Sequence, residues 1–276
     1  MSWTPPPPPE LPLDAHKGTA GRVLLACGSA WMPGAAILAA RAAQRAGAGL
    51  VRVACRDREL VAIVAPAAPE AVFLRDPLDA VAAGDHHAAL VGPGLGLDEV
   101  AARIVRQALA RADVPLVLDA DALTILAADP RLAEDRRAVL VLTPHPGEAS
   151  RLLGRDVPFD SNGRVEAARA IALRFRAIVC LKGRATVVTD GERTFENDTG
   201  NPGMATAGAG DVLAGIAVAY LAQTVTLASV NWTVFDAAAR AVWIHGRAGD
   251  LAAAALGARA LVASDLVEFL AAAQRG

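Results

Sequence analysis

The chain has 276 residues, 54 % of them hydrophobic and 20 % charged, which is enough for a sizeable buried core and too apolar for extensive disorder. Lys and Arg number 27 against 29 Asp and Glu, a formal charge of -2, so nothing in the charge balance suits a nucleic-acid backbone or an anionic membrane. Aromatic residues make up only 4 %, with a single Tyr, which argues against a stacking platform for single-stranded nucleic acid.

Met1-Ser2-Trp3-Thr4, followed by the prolines Pro5 to Pro9, has neither a basic n-region nor an apolar h-region, so it does not read as a secretory signal. Prolines donate no backbone hydrogen bonds and favour polyproline II, which predicts an extended arm over residues 1–15 and compact structure from His16 onward. Val23 to Cys27 is a short apolar run ending in Gly28-Ser29, and an Ala-rich helical pattern follows from Pro33 to Ala46. Gly47 and Gly49 stop that helix before the strand Leu50 to Ala54, a strand–helix–strand unit that implies a parallel crossover.

The same grammar recurs. Ala88 to Val91 is a strand that runs into Gly92-Pro93-Gly94-Leu95-Gly96, and Asp98 to Arg111 is an amphipathic helix. Pro115 to Leu118 ends in Asp119-Ala120-Asp121, and Val139 to Leu142 ends in Thr143-Pro144-His145-Pro146-Gly147-Glu148. Ala177 to Leu181 ends in Lys182-Gly183. Continuously apolar strands alternating with helices predict an α/β fold with a doubly wound, mostly parallel sheet flanked by helices. Asp190-Gly191 between Ala185 to Thr189 and Arg193 to Glu196 signals a hairpin. A Gly-rich segment, Asn197 to Gly210, then leads into helix that continues to the end. With neither repeat nor linker, residues 16–276 read as one domain. No stretch reaches the roughly 18 uninterrupted apolar residues of a membrane span. Cys27, Cys55 and Cys180 lie far apart in apolar runs and read as buried free thiols of a reducing cytoplasm.

Ligands of open α/β sheets bind outside the carboxyl ends of the strands, where this sequence places a glycine-lined, partly charged rim suited to a large anion. Its sharpest element is Ala207-Gly208-Ala209-Gly210-Asp211 at the start of a helix, where free amides and the positive dipole end favour phosphate. Asp211 there is either a simple helix cap or a carboxylate poised to accept a proton from an attacking hydroxyl. Asp119 and Asp121 either hold Mg²⁺ through water, or one of them caps the helix that follows. His145, flanked by prolines, is a candidate hydrogen-bond partner for a ligand as a neutral imidazole, or a solvated loop residue. His86, His87 and His245 read as structural. Lys182 is either a point charge for a phosphate or an ordinary strand-end lysine. No Gly-x-x-x-x-Gly-Lys-[Ser/Thr] motif is present, so this is not a P-loop protein, and Gly92 to Gly96 lacks the Rossmann spacing.

Seven stretches in one order, HKGTAGRVLLACGS, MPGAAILAARAAQRAGAGLV, VGPGLG, LVLDADAL, LTPHPGEASRLLG, VCLKGRATVV and NDTGNPGMATAGAGDVLAGI, make the chain resemble the NAD(P)H-hydrate dehydratases, a carbohydrate-kinase-like family of ribokinase-like fold. The resemblance runs from His16 to the C-terminal helix. It implies a hydro-lyase that repairs hydrated NADH and NADPH: a nucleotide, ADP or ATP, phosphorylates the ring hydroxyl, and elimination of phosphate restores the double bond. By the same resemblance, Asp211 is the catalytic base, and Ala36, Gly94, His145 and Asp211 line the hydrated-dinucleotide site. The adenine nucleotide is assigned to Lys182, Gly183, Arg184, Ala185 and Thr186, with Gly208, Ala209 and Gly210 around the transferred phosphoryl group and Mg²⁺ screening its charge; the metal ligands are left unassigned. The small side chain of Ala36 is expected to keep ligand space clear. Two positions depart from the family pattern: Cys27 replaces a small residue, and Ala209 replaces a hydroxyl residue that offers one more phosphate hydrogen bond. The expectation is a cytoplasmic, stand-alone, self-associating dehydratase with ADP as donor. The competing readings are a small-molecule kinase of the same fold and a catalytically silent nucleotide-binding sensor.

Overall fold

The computed structural model describes residues 3–227 and 232–275. Nine strands form one sheet: β1 (Arg22–Ala26), β2 (Leu50–Ala54), β3 (Val72–Leu74), β4 (Ala88–Val91), β5 (Leu116–Leu118), β6 (Leu140–Leu142), β7 (Ile178–Leu181), β8 (Val187–Thr189) and β9 (Thr194–Glu196). Their spatial order is β3-β2-β1-β4-β5-β6-β7-β8-β9. The first seven are parallel, and β8 and β9 join antiparallel through the predicted hairpin. The order reverses between β1 and β4, and an open α/β sheet forms its binding crevice at such a switch point.

Along each strand alternate residues feed opposite cores, as a period of two requires. Val23, Leu25 and Cys27 face one hydrophobic layer, and Leu24 and Ala26 the other. The first layer is closed by α1 (Pro33–Arg45), α2 (Arg58–Val64), α8 (Ala209–Thr226), α9 (Val234–Leu256) and α10 (Ala263–Ala273). On the opposite face lie α3 (Pro77–Ala82), α4 (Glu99–Arg111), α5 (Asp121–Ala128), α6 (Pro146–Leu153) and α7 (Ser161–Phe175). All three cysteines are buried and unpaired, as expected.

By length and composition α8 could cross a membrane; here most of it is buried in the fold. It packs backbone to backbone on α1. A Cβ on Gly215 would come within 2.4 Å of the Ala39 carbonyl oxygen and 2.9 Å of the Ala42 Cβ. Gly215→Ala gains about 1 kcal/mol of helix propensity. Overpacking costs about 1–3 kcal/mol, and because the atom met is a backbone oxygen that no rotamer change can move, the cost falls toward the upper end and outweighs the gain. The variant should therefore unfold at lower urea concentration than the parent; equal or higher stability would show that α1 and α8 are not in this contact.

Helix α2, strand β3 and helix α3 were not legible in the sequence: each is short, and β3 is an edge strand with Val72 exposed. The N-terminal arm also differs from expectation. Residues 3–14 contain neither helix nor strand, yet they are not detached from the domain. The Trp3 ring meets Phe195 edge-on at 5.5 Å and Phe235 at 5.8 Å, and the carbonyl of buried Pro5 accepts a hydrogen bond from Arg240 Nη1 at 3.3 Å. Compact packing thus begins before His16, because an apolar indole finds two aromatic partners beside the outermost strand. The expectation of helix after Gly210 holds for α8, α9 and α10; residues 228–231 and 276 lie outside the described residues.

Candidate active site

The carboxyl ends of β1, β4, β5 and β7 bring the predicted rim together. At the switch point the Gly28 amide donates to the Pro93 carbonyl at 2.7 Å, joining the loops after β1 and β4. Gly92 adopts φ +128°, and a Cβ there would lie 2.0 Å from the Asp119 carbonyl oxygen. Only glycine lets the loop after β4 lie this close to the end of β5. Asp121 Oδ2 then accepts from the Gly96 amide at 2.8 Å, tying the same loop down a second time.

Asp119 itself is buried and forms an ion pair with Lys182 Nζ at 2.7 Å. Lys182 also stands 3.9 Å from Glu148 Oε2. Burial would depress the lysine, but the charges of Asp119 and Glu148 outweigh it and hold the ammonium above its ordinary range. Neither Asp119 nor Asp121 caps α5 with its side chain, which corrects that alternative. The cap residue is Ala120, with φ +51°, and the two carboxylates are engaged by Lys182 and Gly96 instead.

Asp211 is not a helix cap either. Gly208, in the left-handed region at φ +88°, occupies the cap position of α8, and Asp211 is the third helical residue. The amides of Gly210 and Asp211 lie in the first turn, where a helix supplies no carbonyl partner. Burial, with the nearby charge of Asp119, pushes the Asp211 carboxyl up to about 7, against the opposing pull of Lys182. A Cβ on Gly210 would sit 3.2 Å from Lys182 Nζ and 3.8 Å from Asp119 Oδ2, so the turn passes directly over the ion pair. Cys27 lies beneath the same cluster: burial, then Asp211 and Asp119, push its thiol well up, and it stays protonated. The carbonyl of Ala209 is engaged by His245 Nε2 at 2.9 Å. Burial lowers His245 to about 4, so a neutral ring donates this bond from α9.

His145 caps α6. Its Nδ1 accepts from the amides of Gly147 and Glu148 at 3.0 and 3.3 Å, while Glu148 Oε2 accepts from the His145 amide at 2.7 Å. With Nδ1 an acceptor, the proton resides on Nε2, which is 3.3 Å from Glu148 Oε1. The imidazole is half exposed, with its Nε2 edge between Glu148 and solvent. Glu148 is itself buried, and burial raises its carboxyl against the pull of Lys182.

Lys182 to Thr186 form the turn between β7 and β8. Gly183, Arg184 and Ala185 are exposed, and Thr186 Oγ1 donates to the Gly183 carbonyl at 3.1 Å. Arg164, on α7, props this turn from below by donating to the carbonyls of Leu181 and Lys182 at 3.3 and 3.4 Å. Gly94 is buried against the start of α1, where a Cβ would meet Ala35 Cβ at 2.9 Å and Met32 Cβ at 3.0 Å. Ala36 is fully buried, and its Cβ fills the space beside Gly28, 2.8 Å from where a Cβ on that glycine would stand. Its small size therefore serves the packing of α1 on the loop after β1.

Glu148, Arg164 and the pairing of Asp119 with Lys182 emerge as part of the site only in the structure. The spacing of Glu148 three residues after a cap was a usable signal. The other contacts join residues 17 to 63 positions apart and depend on the sheet order.

A doubly wound sheet with a glycine-rich turn opening α8 and a half-buried carboxylate over the ends of its central strands defines a protein of the ribokinase-like class. Within that class, the carbohydrate-kinase model described as NAD(P)H-hydrate dehydratase matches residues 23–271, and the chain belongs to this family. The structure superposes with a TM-score of 0.83 on the ADP/ATP-dependent NAD(P)H-hydrate dehydratase of Bacillus subtilis co-crystallized with ATP/Mg²⁺, which is 32 % identical, over 97 % of this chain and 93 % of that one. An ADP-dependent (S)-NAD(P)H-hydrate dehydratase of Neisseria meningitidis is 42 % identical over 243 residues, 86 % of this chain and 79 % of the relative. A bifunctional NAD(P)H-hydrate repair enzyme of Moorella thermoacetica is also 42 % identical, over 95 % of this chain but 51 % of its own length. The chain thus spans about half the length of the bifunctional relatives it matches.

Proposed function

We propose that the protein dehydrates the (S)-forms of hydrated NADH and NADPH, with ADP as phosphoryl donor. The observation that carries this reading is Asp211: a partly buried carboxylate, raised to about 7, in the first turn of α8 and over the Lys182–Asp119 pair. Such a group accepts a proton near neutral pH, which an attacking hydroxyl requires. The donor nucleotide lies along Lys182, Gly183, Arg184, Ala185 and Thr186, with its transferring phosphoryl group at the amides of Gly208, Ala209 and Gly210. The hydrated ring enters from the side of Ala36, Gly94 and His145. Its hydroxyl oxygen bonds to phosphorus as its proton passes to Asp211; the donor leaves as AMP. The carbon–oxygen bond then breaks with its electron pair, inorganic phosphate departs, and the neighbouring ring proton passes to solvent as its C–H pair forms the restored double bond. Ala209, by its methyl side chain, contributes only backbone to the turn.

Among the described residues no group of three His, Cys, Asp or Glu side chains is arranged to hold a metal ion. Mg²⁺ would be carried by the nucleotide phosphates, beside the buried carboxylates of Asp119 and Glu148, both of which face Lys182. When bound, Mg²⁺ supplies charge neutralisation on the phosphates. Three buried, unpaired cysteines suit the reducing cytoplasm, and self-association of the chain is part of the same proposal.

Product analysis tests this reading against a kinase. With hydrated NADH, Mg²⁺ and ADP, the expected products are NADH, AMP and inorganic phosphate in equal amounts. A product that retains the phosphoryl group would assign a kinase instead. Nucleotide binding with no product of either kind would assign a sensor.

A further inference from the structure

The loop from β1 into α1 holds out an indole that stacks on no aromatic ring and meets no cation among the described residues. Trp31 is 93 % exposed, and its neighbour Met32 is 43 % exposed. A bare tryptophan is expected on a mobile surface loop, yet this loop is tied at every step. The Gly28 amide is bound to Pro93, the Met32 amide donates to the Ser29 carbonyl at 3.0 Å, and the Ala30 amide donates to Asp57 Oδ2 at 2.7 Å. Arg56 extends the brace to the loop after β4. Its Nη1 donates to the Leu95 carbonyl at 2.6 Å, Nη2 pairs with Asp98 at 2.7 Å, and Nε faces Asp57 at 3.4 Å. Exposed on the two tied loops are apolar side chains, Trp31 and Met32 on one and the 60 % exposed Leu97 on the other. A rigid, preorganised apolar ledge loses little entropy when something flat is laid on it.

Its place in the sheet says what that is. Phosphoryl transfer sets donor and acceptor roughly in line on opposite sides of the moving group. The donor turn follows β7 and Asp211 stands over the centre of the sheet, so the acceptor approaches from the β1–β4 side. A hydrated dinucleotide keeps its reacting ring at Asp211, and its other half must continue outward on that side. Trp31 is one residue from Met32, whose Cβ and carbonyl oxygen pack on Gly94. We infer that Trp31 is a specificity-determining residue that stacks on the adenine of the hydrated dinucleotide. The inference rests on the proposed reaction and adds the part of the substrate that this reaction does not touch.

The test measures KM for hydrated NADH and for ADP in the full chain and its Trp31→Ala and Trp31→Phe variants, and repeats the first with the hydrated reduced mononucleotide, which lacks the adenosine half. Base-on-aromatic stacking predicts that Trp31→Ala raises KM for hydrated NADH about tenfold or more. The ADP KM should stay the same, Trp31→Phe should recover most of the loss, and the mononucleotide should not distinguish parent from variant. Parental turnover with an unchanged KM in Trp31→Ala overturns the inference and leaves the reaction standing. So does an equal loss on the mononucleotide, or a change of oligomeric state in sedimentation without a change in KM, which would give the ledge to a second copy of the chain. Absence of turnover in the parent overturns the reaction and the inference with it.

Discussion

Asp211→Asn should reduce turnover of hydrated NADH by at least about 10³-fold, within the range that a general base contributes. ADP should still bind, because the amides of Gly208 to Gly210 and the Lys182–Asp119 pair are untouched by the change. The same substitution should stabilise the protein above neutral pH. Burial raises the folded-state carboxyl to about 7, so the folded chain holds this proton more tightly than the unfolded chain does. Ionised Asp211 is therefore a cost, absent below about pH 4 where both states are protonated, growing through the interval, and complete above about pH 7. At the solvent-facing rim the cost is discounted to about 2 kcal/mol. Urea unfolding of parent and variant should coincide near pH 4 and diverge toward pH 8, with the variant the more stable. The parental kcat/KM should carry an acid limb near pH 7 from the same titration. Retained turnover in Asp211→Asn would remove the base assignment. A stability difference independent of pH would remove its titration as the cause.

Lys182→Met should be the more damaging change to the fold. It leaves Asp119 buried with its partner gone, and breaking a buried pair from one side costs about 3–5 kcal/mol. Lys182 is 19 % exposed, which places the expected loss at the lower end, about 3 kcal/mol at pH 8. Removing the lysine also withdraws the one charge that pulls Asp211 down, so the acid limb of any residual activity should move to higher pH. Adding Asp119→Asn to Lys182→Met should return most of the lost stability, because the orphaned charge is then absent. If the double variant is no more stable than Lys182→Met alone, the ion pair is not what the single change breaks.

Much of this was legible in the sequence, for identifiable reasons. Val23 to Cys27 and Ala88 to Val91 are apolar runs ended by glycine, and such runs have few alternatives to buried parallel strands. The Ala-rich helix after Pro33 and the Asp190-Gly191 hairpin are local signals of the same strength. Asp211 stood out because a carboxylate in a phosphate-cradling turn conflicts with its surroundings. The stretch containing β3 carried no such signal: one exposed and two half-buried residues at a sheet edge have too little periodicity to read. The site's electrostatics were also hidden. Lys182 and Asp119 are 63 positions apart and meet only because β6 alone separates β5 from β7. Ala36 shows the opposite error. A small residue near a predicted site suggests space for a ligand, whereas its methyl group fills the gap that Gly28 leaves.

The central claim, that a kinase-like site here drives a dehydration, is tested most directly by the absorbance band of reduced nicotinamide. Chemically hydrated NADH, which lacks that band, is mixed with the protein and Mg²⁺, with ADP, with ATP, or with neither. The account predicts that the band returns with ADP and stays absent without nucleotide. No return with either nucleotide, while ADP binding is intact, would contradict it.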